Sequence, residues 1–127
     1  MMVKVAGALC LVLAAGHTLL GSRSILPRLR KEALPASPLG GPSSTEVALA
    51  FTWYFVTIAV VAIAILLFAI AGHRHSVERS LVLQIVAGIF AAATLMAVCL
   101  SRGRLRSLIR SPVVGFAAVA VLCALSA

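Results

Sequence analysis

The chain contains no aspartate, and its only acids are Glu32, Glu46 and Glu78. All three flank apolar runs, so no pair of carboxylates is available for general acid–base work. No nucleophile–base arrangement and no phosphate-cradling glycine loop occurs either. The expected reading is therefore a protein that is not an enzyme and carries no cofactor. Cysteine is sparse, with Cys10, Cys99 and Cys123 each inside an apolar run and no Cys-x-x-Cys pair. That spacing excludes a zinc site or a redox pair, and leaves three small hydrophobes expected to be buried in packing. Charge is scarce too, at 11% of 127 residues. A soluble domain of this size would lack the polar surface to cover itself.

Apolar residues make up 62% of the chain, and the mean hydropathy is +1.15. The longest run, Val47 to Gly72, is broken only by Thr52 and Thr57. As a helix it would rise about 39 Å, enough to cross a bilayer core of about 30 Å with tilt. Similar runs give four spans at about 3–21, 47–72, 81–100 and 112–127. The expected fold is all-α, a membrane four-helix bundle alternating up-down-up-down within a single domain. The last run is short, and must thin the bilayer or let Arg106 and Arg110 snorkel.

A signal peptide is the competing reading of the first run, with Lys4 as its basic start and Ala14-Ala15-Gly16 as a cleavage region. It would export both basic clusters and so invert the rule that cationic loops stay inside. A lipoprotein signal fails as well, because Leu9 stands before Cys10 where a small residue is required.

The connections are informative. Residues 22–46 form a basic loop rich in proline and glycine, in which cations alternate with Ile25, Leu26 and Leu29 as an interfacial segment would. Ser43 and Glu46 fit a capping box opening the second span. The turn 72–80 is short, which predicts that spans two and three are antiparallel neighbours. Ser111-Pro112 fits a cap followed by proline at the first helical position.

With four spans, Arg23, Arg28, Arg30, Lys31, Arg102, Arg104, Arg106 and Arg110 share one face, against Lys4, Arg74 and Arg79 on the other. The larger cluster belongs in the cytoplasm against anionic lipid headgroups, which places both termini outside, in the periplasm of a bacterial inner membrane. The formal charge of +8 then needs no nucleic acid to explain it.

Small residues offer packing ridges: Ala6, Cys10, Ala14 and Thr18 in span one, Gly88 and Ala92 beside Ala87 and Ala91 in span three, and Ala117, Ala120 and Ala124 in span four. They suit contacts within the chain, or a homo-oligomer or larger membrane complex. Gln84, the only amide in a span, is expected to bridge helices.

His17 is the most suggestive residue, since an ionisable side chain inside a span is a functional candidate. Trp53 and Tyr54 lie at a similar depth, and a hydrogen bond from His17 to the Tyr54 hydroxyl or to Thr57 is expected. These four residues are either an interfacial polar contact in an aromatic belt or a proton-sensitive site. His73, His75 and Glu78 lack a further ligand pair on their side of the membrane, so no metal site is expected.

Two stretches together carry a resemblance: Gly16-His17-Thr18-Leu19-Leu20-Gly21-Ser22-Arg23 leading into Ile-Leu-Pro, and Phe51-Thr52-Trp53-Tyr54-Phe55-Val56-Thr57. With the proline before the last span, the chain resembles a group of small uncharacterised bacterial four-span membrane proteins. In that group a Trp-His pair often opens span two; here Tyr54 stands where the His would be. The resemblance implies a four-span fold and no particular activity. Two functions follow as expectations: a non-catalytic accessory, assembly or structural component, or a small oligomeric four-span transporter using His17.

Overall fold

The computed structural model describes residues 1–31, 42–72, 76–100 and 113–127, and these are all-helical apart from short turns and ends. Among the described residues, three helices are long and apolar enough to cross a membrane. The Pro/Gly-rich stretch, the His73-Arg74-His75 turn, Ser111-Pro112 and the cluster from Arg102 to Arg110 lie outside the described residues.

Helix α1 (Met2–Leu20) does not stop at Gly21, which keeps right-handed helical angles of φ −60° and ψ −57°. The chain continues through one π-helical turn (Gly21–Ile25) into α2 (Leu26–Lys31). The Leu26 N–H reaches back to the Gly21 carbonyl, a five-residue step. This wider turn stands just before Pro27, whose ring would clash with the carbonyl four residues back in a regular α-ladder. The expected interfacial segment is thus a helical extension of span one.

Helix α3 (Pro42–Ile70) runs 29 residues, about 43 Å. It starts at Pro42, where a missing N–H costs nothing, so the helix opens five residues before the expected Val47. It ends two residues before Gly72. Helix α4 (Val77–Leu100) begins four residues earlier than expected, because Ser76 caps it. The Arg79 N–H donates to Ser76 Oγ at 3.2 Å, and Glu78 sits in the first turn where the helix dipole favours an acid. Ser76→Ala is expected to cost about 0.5–2 kcal/mol, read as a lower midpoint of thermal unfolding in mild detergent.

Helix α5 (Val113–Ala124) has 12 described residues, a rise of about 18 Å, short of a bilayer core. Its end is closed by the Ser126 hydroxyl, which donates to the Leu122 carbonyl at 2.7 Å.

One cluster joins α1, α3, α4 and α5: Val3, Ala6 and Cys10 of α1, Ala64 and Leu67 of α3, Leu83, Val86 and Phe90 of α4, and Val119 and Cys123 of α5. It draws on the early part of α1 and α4 and the late part of α3 and α5. Helix α1 packs broadly against α3 and less so against α5, and α5 packs against α4. The consecutive pair α3 and α4, expected from their short link to be antiparallel neighbours, meets in this cluster but makes the loosest of these interhelical seams. A short link joins ends only; backbones approach closely along their length where small side chains meet.

Such a seam exists between α1 and α3. Ala6 and Cys10 are fully buried, Ala14 nearly so, and Gly7 lies against the Ala64 carbonyl and the Phe68 ring. The span-one ridge is therefore an intramolecular face. The expected ridge on α4 is split: Ala87 packs against the core, Gly88, Ala91 and Ala92 are exposed, and α4 turns its bulky Leu83, Val86 and Phe90 inward. In α5, Ala117 and Ala120 are half-buried and Ala124 is exposed. Gln84 is exposed as well and has no bridging hydrogen bond among the described residues. Cys10 and Cys123 are buried as expected, but Cys99 faces outward.

Large apolar side chains cover the outside of these helices, with Phe51, Ile58 and Leu95 each about two-thirds exposed. No polar or charged residue is buried among the described residues.

Candidate functional site

His17 sits one turn before the end of α1, and Trp53 lies in the fourth turn of α3. Their rings stack almost parallel, with centroids 4.1 Å apart and an 8° angle between planes. Each ring also bonds the other residue's backbone. The Trp53 Nε1–H donates to the His17 carbonyl at 3.1 Å, and His17 Nε2 lies 3.2 Å from the Trp53 carbonyl.

Two local features make this exchange possible. At Gly21 the helix begins to widen, and its N–H is shared between the His17 and Thr18 carbonyls. The His17 carbonyl thus keeps a lone pair to offer the indole. Gly21 also lacks a side chain where one would collide: an added Cβ would fall within the Trp53 indole. Glycine here permits a ring to lie directly on helix backbone.

The hydroxyls extend the contact. Thr18 Oγ1 donates to Thr57 Oγ1 at 3.3 Å, and Thr57 Oγ1 stands 3.5 Å from the Trp53 carbonyl. A carbonyl only accepts, so this contact assigns the Nε2–H tautomer, in which the Nδ1 lone pair is left over. His17, Thr18, Trp53 and Thr57 form a polar cluster within apolar helices, nearly all of whose groups satisfy one another.

The expected quartet of His17, Trp53, Tyr54 and Thr57 is corrected at one position. Tyr54 is exposed and takes no part; Trp53, expected as a belt residue, is the direct partner. Trp53 and Thr57 stand four residues apart and share a helix face, whereas Tyr54 is turned about 100° away. Thr57 joins through Thr18 and not through His17. The role of Gly21 was not anticipated, though its place four residues after His17 puts it on the same face.

Of the cations assigned to lipid headgroups, Arg23 and Arg28 are exposed, and Arg30 and Lys31 belong to α2. Arg102, Arg104, Arg106 and Arg110 lie outside the described residues, as do His73 and His75. Among the described residues no group of three or more metal-ligating side chains comes together.

No family model, no curated protein and no solved structure matches the chain. The resemblance to small four-span bacterial proteins therefore rests on its two motifs and the last-span proline.

Proposed function

We propose that this chain is a non-catalytic accessory, assembly or structural component of a bacterial inner membrane, crossing it four times. One observation carries the reading: the described helices bury no polar residue and turn large apolar side chains outward on every side. The cluster at His17 and Trp53 then acts as a helix-to-helix lock near one membrane face.

Alternation of the helices is supported from both ends. The core cluster unites early α1 and α4 with late α3 and α5. Met1, Ala127 and Arg79 line one shallow depression, while His17 meets Trp53 near the opposite end of α1. Helix α5 serves as the fourth span through its packing on α4 and α1, with local thinning of the bilayer about its short rise. Arg23, Arg28, Arg30 and Lys31 then lie at the cytoplasmic face with Arg102, Arg104, Arg106 and Arg110, in contact with anionic headgroups, and both termini are periplasmic.

A second reading, a small oligomeric transporter of the four-span type, is favoured by the lone pair on His17 Nδ1. The two are separated by isolating the tagged chain in mild detergent and by testing flux in proteoliposomes. The accessory reading expects a co-purifying membrane protein in fixed ratio and no proton-driven flux. Proton-driven flux that is lost in His17→Ala would overturn it.

A further inference from the structure

A cavity of about 540 Å³ opens beside the His17–Trp53 stack, bounded by α1, α3 and α5. Its volume falls within the range of sites that hold one small molecule, roughly 300–1,000 Å³. Leu13, Val56, Val60 and Phe116 form its apolar wall, and His17, Trp53 and Thr57 supply its polar side. Val12 and Leu20 stand at its edge and are more than half exposed, so the opening faces the surrounding lipid.

Most of the polar side is already committed. The indole N–H goes to the His17 carbonyl, and the Thr57 hydroxyl is engaged with Thr18 and the Trp53 carbonyl. His17 Nε2–H goes to the Trp53 carbonyl. What is left is Nδ1, an acceptor with no protein partner among the described residues. It is not sealed in either, since it is not among the fully buried side-chain polar atoms that lack a partner in the described residues.

We infer that this cavity binds an uncharged, lipid-soluble molecule carrying a hydroxyl group, whose O–H donates to His17 Nδ1. Among the described residues the wall holds no Lys, Arg or Glu, so there a charged headgroup would lose its hydration without compensation. An amide donor would bring a carbonyl with nothing to meet it, whereas a hydroxyl needs only the one acceptor. Water is a poor occupant, because it requires two to four polar partners and the remaining wall is apolar. An apolar body with one O–H matches both the wall and the single free acceptor. The proposal rests on the membrane-embedded reading of the chain but not on the choice between accessory and transporter.

Trp53 is the only tryptophan in the chain and lines the cavity, so its fluorescence reports occupancy directly. The test titrates the full-length protein in phosphatidylcholine nanodiscs with bromodecanol and, separately, with its methyl ether. The bromine quenches the indole on contact, and only the alcohol has a proton to donate.

Saturable quenching is expected for both, with the alcohol bound roughly 2- to 12-fold more tightly, the worth of one hydrogen bond. His17→Phe, which keeps a ring over Trp53, should bring the two probes to equal affinity. Gly16 lines the cavity, and an added Cβ there meets nothing within 4 Å. Gly16→Leu should therefore fill the space and remove saturable quenching by both probes. Linear quenching, or equal affinity for alcohol and ether, in the wild-type chain would overturn the proposal even if a variant failed to fold. Failure of the wild-type chain to enter nanodiscs would instead count against the membrane reading on which the proposal stands.

Discussion

Gly21→Ala should destabilise the protein by about 2–4 kcal/mol and shift the emission of its single tryptophan. Two effects oppose each other at this position. In a helix, alanine is favoured over glycine by about 1 kcal/mol, so intrinsic propensity alone predicts a gain. Against that, the new methyl group would occupy the space of the Trp53 indole. A ring of that size cannot absorb the overlap by a small rotation, and overpacking of this kind costs about 1–3 kcal/mol. Moving the ring also breaks its bond to the His17 carbonyl, worth about 1 kcal/mol, and the stack on His17, worth about 0.5–1.5 kcal/mol. Loss therefore outweighs gain. Thermal unfolding in mild detergent, read beside the emission maximum, checks the sign. A more stable variant with unchanged emission would show that the indole does not rest on Gly21.

The second large effect concerns the seam between α1 and α3. Ala64 is fully buried there, with Gly7 of α1 against its carbonyl. Ala64→Leu should force the two helices apart at a cost of about 1–3 kcal/mol. Gly88→Leu makes the same sort of change on the outer face of α4, where an added Cβ touches nothing. It should be neutral or stabilising by up to about 1 kcal/mol, because only helix propensity changes. Comparing their unfolding midpoints tests which small residues hold this protein together. The opposite ranking would place the close-packed seam on α4.

That contrast also shows what was legible in the sequence. The apolar runs and their helical state followed from composition and length, because lipid demands closed backbone hydrogen bonding. Which face of a span turns inward did not follow. Inside and outside are both apolar in a membrane, so hydrophobic periodicity loses its meaning. Helix α4 carries a bulky stripe at Leu83, Val86 and Phe90 and a small one at Gly88 and Ala92, and nothing in the pattern ranks them. Span one was readable because Ala6, Cys10 and Ala14 leave little choice of close-packing face. The meeting of His17 with the start of span two was legible from depth. Its partner was not, since Tyr54 offered the more obvious hydroxyl, while Trp53 uses its backbone carbonyl and ring face. The early start of α4 came from Ser76, one polar residue among several in a turn.

The account depends most on the claim that four helices cross the membrane with the basic connectors inside. A topology reporter active only in the periplasm tests it directly, fused after Ala127 in one version and inserted at Pro38 in another. The account predicts activity after Ala127 and none at Pro38. Activity at Pro38, or none after Ala127, would contradict it.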